Sequence, residues 1–135
     1  MPSVLNQVLD GQSHNKEGSL MNKILIPVDG SKNSDLAVKY AVKVYGGDPN
    51  THFHICNVQP KLYRHISKFL SKQDINSWHA ERAQLAANSA SQYLEKSGVN
   101  FSFSYVSGDR GMALRDEAHR LGCSRILIAT HKKKK

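Results

Sequence analysis

The sequence is short of several things, and each shortage narrows what it can be. It has only two cysteines, Cys56 and Cys123. Each sits beside an apolar run, and neither has a second Cys or a His at metal-ligand spacing. A disulfide-built scaffold and a metal site are therefore not expected; two buried, reduced thiols in a cytoplasmic protein are. No apolar stretch approaches the roughly 18 residues that a membrane-spanning helix needs. Residues Met1 to Leu20 lack the basic start and apolar block of a secretory signal. The loops Gly-x-x-x-x-Gly-Lys-Ser/Thr and Gly-x-Gly-x-x-Gly are absent, as is the Gly-x-Ser-x-Gly turn of serine hydrolases. Nucleophilic catalysis needs a Ser or Cys with a placed His base. The seven histidines are scattered and read as solvent-facing, so no catalytic residue is nominated and the chain is not expected to be an enzyme.

What is present describes one domain. A chain of 135 residues with 39% apolar composition is long enough to bury a single core. The formal net charge is +8, but four of those charges are the run Lys132–Lys135. A basic balance favours anionic partners, yet here most of the excess reads as a solvated tail, with no specific nucleic-acid partner. The organisation expected is a mobile leader over 1–21, with Met21 as an alternative start, one domain over 22–131, and a lysine tail over 132–135.

Inside the domain, apolar runs alternate with helical spacing. Lys23 to Asp29 reads as a short strand buried on both faces, with Pro27 near its end where a missing ladder donor costs least. Ser31 or Ser34 can cap a helix carrying Leu36, Ala37, Tyr40, Ala41 and Val44, which Gly46 and Gly47 stop. Residues 51–58 form a second strand, with His52 and His54 on its outward positions. Residues 59–72 are basic and amphipathic. Their reading is a loop-helix folded over the crevice, burying Leu62, Ile66 and Phe69; a membrane-surface or nucleotide-steering role is the alternative. A long helix over 74–96 follows, with Ser71 as its cap and Ile75, Trp78, Leu85, Ala86, Tyr93 and Leu94 on one stripe. Phe101, Phe103 and Tyr105 alternate with serines, which suits an edge strand. Asp109 caps a helix carrying Ala113, Leu114, Ala118 and Leu121, and Arg125 to Thr130 is a fourth strand. Strand-helix alternation of this kind implies right-handed crossovers in an open α/β domain, a parallel sheet with helices on both faces.

Ligands of such sheets bind outside the carboxyl ends of the strands, where the strand order reverses. That selects 27–31, 57–60, 107–111 and 130 onward. Asp29 is the sharpest candidate there, because a carboxylate can accept hydrogen bonds from ribose hydroxyls; on position alone a helix-capping turn is the simpler account.

The run Ile24-Leu-Ile-Pro-Val-Asp-Gly-Ser31, followed by Ser34, Ala37 and Ala41, resembles the opening of the universal stress protein family. Gly108-Asp109 is similar to that family's third strand-to-helix turn, and Ile126-Leu-Ile-Ala-Thr-His131 to its fourth strand. The resemblance implies a Rossmann-like sheet in the order 3-2-1-4-5 and a stress-response module that binds an adenine nucleotide, ATP with magnesium, as a homodimer; slow ATP hydrolysis is the most catalysis it implies. It nominates Asp29 for the adenosine, Pro27 and Gly30 for the shape of the pocket, backbone at Val58 for the adenine, and Ala129 and Thr130 for the approach to the phosphates. The family's phosphate loop runs Gly, two residues, Gly, nine residues, Gly-Ser/Thr. Here Ala129 and Lys132 stand at the first two glycine positions. Members without the loop are those that do not hold ATP, so the alternative is a nucleotide-free, dimerising interaction protein. The family also adds a fourth helix and fifth strand after this point. Their lack is expected to leave the fourth strand as an exposed apolar edge.

Overall fold

The seven residues of β1 (Pro2–Val8), the first element in the chain, lie beside the last one, β5 (Arg125–His131), in antiparallel register from Pro2 opposite His131 to Val8 opposite Arg125. The computed structural model describes residues 2–8, 22–61 and 68–131, with side chains for 22–61 and 68–129. The rest of the leader, the middle of the basic stretch with Leu62 and Ile66, and the lysine tail lie outside the described residues. Between the two edge partners run β2 (Asn22–Pro27), α1 (Lys32–Tyr45), β3 (Thr51–Gln59), α2 (Lys72–Ser97), β4 (Asn100–Ser107) and α3 (Arg110–Leu121). The sheet order is β1-β5-β2-β3-β4, and the four strands β2 to β5 are parallel. This is the expected order, with β4 on the outside.

The far side of β5 corrects an expectation. Its edge is not bare, because β1 covers it with seven paired positions. Residues 2–8 are thus a strand and not part of a mobile leader as expected; their apolar residues Val4, Leu5 and Val8 do not alternate as those of a half-buried strand usually do.

Each helix starts where the chain supplies an acceptor for its first free N–H groups. Ser31, Ser71 and Asp109 accept from the N–H of Ser34, Asp74 and Met112, at 3.2, 3.0 and 3.1 Å. Gly98 and Gly122 end α2 and α3 in the left-handed conformation. Helices α1 and α2 cover one face of the sheet, where Ile24, Ile26, Phe53, Ile55 and Leu127 meet Ala37, Val38, Ala41, Ala87, Ala90 and Leu94. Helix α3 covers the other, where Leu25, Cys56 and Ile126 meet Leu114, Ala118 and Cys123. Both cysteines are free and buried, and burial pushes their thiols up to about 12 and about 11.

Helix α2 buries only part of the stripe expected of it: Leu94 is in the core and Tyr93 packs against it. Its buried residues are His79, Ala83, Ala87, Ala90 and Leu94, while Trp78 and Leu85 are exposed. Small alanines let the helix axis lie close to the sheet, and the larger side chains are displaced to its flank. Phe69 is 85% exposed, so it is not folded down as expected of the basic stretch.

Candidate functional site

At its carboxyl end β2 hands the chain to a tight turn. Val28 N–H still donates to Cys56 C=O at 2.9 Å, and there the ladder stops. Asp29 Oδ1 then accepts from Ser31 N–H at 2.9 Å, while Ser34 Oγ accepts from Asp29 N–H at 3.4 Å and donates to Ser31 C=O at 3.1 Å. Gly30 sits at φ 84, and a Cβ there would stand 3.5 Å from the Ala86 Cα of α2. That distance is ordinary contact, so it is the left-handed backbone that asks for glycine in this turn. Partial burial is the strongest single influence on the Asp29 carboxyl and pushes it up; the hydrogen bonds from Ser31 and Ser34 and the charge of Arg110 together outweigh it, and Asp29 is held below its ordinary value.

The next strand supplies the opposite wall. Gln59 C=O accepts from Gly108 N–H of the β4 side, and Cys56 C=O from Val28 of the β2 side. Backbone groups alternate sides along a strand, so those of Val58 turn toward β2, past its last residue. Asn57 and Gln59 point to the α2 face and form a buried chain. Asn57 Nδ2 donates to Val28 C=O at 2.7 Å, Gln59 Nε2 donates to Asn57 Oδ1 at 2.6 Å, and Gln59 Oε1 faces His79 Nδ1 at 3.5 Å. The chain fastens the end of β2 to β3 and to α2, which fixes the Asp29 turn relative to Val58.

Together these residues line a cavity of ≈ 350 Å³ with Asp29, Gly30, Asn57, Val58, Gln59, Arg82, Leu85 and Ala86 on its walls. Such a volume is that of a small-molecule site. Of the six nominated residues, Asp29, Gly30 and Val58 line it. Pro27 is buried one step back, opposite Cys56. Ala129 packs against the α1–α2 core, and Thr130 stands in β5 opposite Ser3 of β1. Arg82, Asn57 and Gln59 were missed. The two amides could have been found by their period-two spacing at the end of an apolar strand; Arg82 stands one helical turn after Trp78 and has its guanidinium 5.1 Å from that ring.

A second polar cluster lies beneath α3 and corrects the solvent-facing reading of the histidines. His54 is 4% exposed. Its Nε2 and Nδ1 lie 2.7 Å from Ser104 Oγ and 2.6 Å from Ser102 Oγ, and His52 Nε2 lies 2.8 Å from Ser102 Oγ. Ser104 Oγ donates to Glu117 Oε2 at 2.6 Å, and Arg120 donates to both carboxylate oxygens of Glu117. A carboxylate only accepts, so the directions follow by elimination. His54 Nε2–H donates to Ser104, Ser102 O–H donates to His54 Nδ1, and His52 Nε2–H donates to Ser102. Burial, opposed by Glu117 and helped by His52, Lys23 and Arg120, lowers His54 to about 4. The hydrogen bonds of Arg120, against some burial, hold Glu117 below its ordinary value. Neutral His54 and ionised Glu117 make this a fastening for α3. Among the described residues no group of three or more His, Cys, Asp or Glu could hold a metal, and no helix is long and apolar enough to cross a membrane.

A parallel four-strand sheet with a cavity at the ends of its first two strands defines a Rossmann-like α/β domain. A sequence profile of the Universal stress protein family matches residues 21–135, and the chain belongs to that family. Solved structures agree at the level of the fold. A universal stress protein family member from Burkholderia pseudomallei is 19% identical with a TM-score of 0.62, over 80% of this chain and 80% of that one. A family protein from Arabidopsis thaliana, solved with AMP bound, is 14% identical with a TM-score of 0.54, over 74% of this chain and 71% of that one. The universal stress protein UspA from Lactobacillus plantarum is 21% identical with a TM-score of 0.54, over 74% and 70%. No curated protein matches the chain by sequence.

Proposed function

We propose that this universal stress protein binds an adenine nucleotide at the carboxyl ends of β2 and β3, beside the switch point between β2 and β5. One observation carries the reading: an ionised carboxylate and an outward-turned stretch of backbone face one cavity of ≈ 350 Å³. Asp29 would accept the ribose hydroxyls, Val58 N–H and C=O would pair with the edge of the adenine, and Leu85 would cover its face. The AMP-bound Arabidopsis relative supports the ligand class. ATP with magnesium is the form that the family resemblance implies, and a cavity of ≈ 350 Å³ supports placing its adenosine part here. Bound nucleotide would act as a signal rather than a substrate, in a cytoplasmic protein that works as a homodimer.

Calorimetry of the full chain with ATP and magnesium tests this. Saturable binding is expected, and Asp29→Ala should weaken it about 10-fold or more, the loss of a hydrogen bond to a charged group. A folded sample that gives no heat would instead favour the nucleotide-free, dimerising form, which Ala129 and Lys132 at the glycine positions also favour.

A further inference from the structure

The cavity wall holds one carboxylate and one cation, Asp29 and Arg82, and the turns beside it add two more cations, Lys61 and Arg110, against Asp109. Arg82, from α2, lines it directly. Its guanidinium lies on the Trp78 ring at 5.1 Å, an aromatic platform that fixes the direction of the arm without neutralising it. On the other face of the sheet, Arg110 is the first residue of α3, just after the turn whose Gly108 N–H donates to the C=O of Gln59 in the cavity wall, and its charge acts weakly on the Asp29 carboxylate. Lys61 folds its stem to within 3.9 Å of where a Cβ would stand on Gly108, in the turn before α3. Against these three cations stand Asp29 and Asp109. Asp109 is engaged in capping α3 through Met112 N–H. Among the described residues the ion pair within 4.0 Å joins Glu117 to Arg120, far from this cavity, and leaves Arg82 and Arg110 without a carboxylate partner at that distance.

An unpaired guanidinium held over a cavity is a recognition group for phosphate, because its planar fork donates two parallel hydrogen bonds to phosphoryl oxygens. Backbone N–H groups, the other common means of holding phosphate, need glycine-rich chain, and Ala129 and Lys132 do not supply it. We infer that this site recognises the phosphate of its nucleotide through the side chains of Arg82 and Arg110, carried by helices on the two faces of the sheet, in place of a glycine-rich backbone loop. The inference rests on the proposed adenosine site and adds to it the source of the anion binding.

The test compares AMP with adenosine, by calorimetry on the full chain, in wild type, Arg82→Gln, Arg110→Gln and the double variant. The readout is the ratio of the two affinities, which cancels any general loosening of the cavity. Wild type should bind AMP at least about 10-fold more tightly than adenosine, the fold-change of one charge-assisted hydrogen bond. Each single variant should cut that ratio several-fold, and the double variant should bring it close to one while its thermal midpoint stays near that of wild type. Raising the salt should narrow the wild-type ratio as well, since exposed charges are screened. A wild-type ratio near one, or a ratio that survives in the double variant, overturns the inference and leaves the adenosine site standing. If neither AMP nor adenosine binds, the site proposed above falls, and this inference falls with it.

Discussion

Gly30 is demanded by its backbone. Its φ of 84 is a conformation that side chains disfavour, in the turn that aims Asp29, while a Cβ there would meet Ala86 only at an ordinary contact distance of 3.5 Å. A methyl group there strains the backbone at a cost of about 1–3 kcal/mol. Gly30→Ala should therefore lower stability by that amount in a urea titration and weaken nucleotide binding along with it. Gly47 is the control, because a Cβ built there meets nothing within 4 Å. Gly47→Ala should be nearly neutral or slightly stabilising. Equal effects at the two sites would remove the argument from the left-handed backbone of Gly30. At this scale the sequence was legible where a residue's role depends on its neighbours in the chain: Asp29, Gly30 and the cap Ser31 all act within one turn. Arg82 was not legible, since only the packing of α2 against the sheet brings it across from Asp29.

At the scale of elements, the strands and helices followed from their periodicity, but the faces they present did not always. In α2 the alanines repeat at the same spacing as the larger apolar residues, and the pattern alone cannot choose between two stripes. Packing chose the smaller one, because α2 must also accommodate the Gly30 turn. His54 was misread for a related reason: a polar residue between apolar ones looks solvent-facing until a partner is found beneath the opposing helix, and Ser102, Ser104 and Glu117 are far from it in sequence. Strand β1 was missed because its partner is the most distant in the chain. Its seven paired positions, at ~0.2–1 kcal/mol each, stabilise the sheet by a few kcal/mol. Deleting residues 1–8 should lower the thermal midpoint and uncover the β5 edge, with a rise in light scattering at high protein concentration. A shortened chain as stable and as monodisperse as the full one would show that β1 contributes nothing to the sheet.

For the whole molecule, the fastening beneath α3 sets a dependence on pH. His54 titrates at 6.5 when unfolded and at about 4 when folded, so the folded state favours the neutral ring. Its contribution to stability is complete above pH 6.5 and is lost as the pH falls toward about 4, where the unfolded chain binds the proton first. Glu117 has the same sign: its contribution is present above its ordinary 4.5 and is lost below that. Thermal midpoints should fall steadily between pH 6.5 and 4, and His54→Gln should flatten that slope. An unchanged slope in the variant would assign the acid sensitivity to other groups.

The pairing of β1 with β5 also orders events during synthesis. The ribosome makes β1 before β5, with the other three strands between them, so nascent β1 has no partner in its own sheet until β5 has been made. Contacts between such distant segments form slowly, because a long loop must close first. The four parallel strands and their helices can condense before β1 docks, and the sheet is then closed by the docking of β1 onto β5. Until that step is complete, the β5 edge is open to any passing strand, and β1 is what covers it.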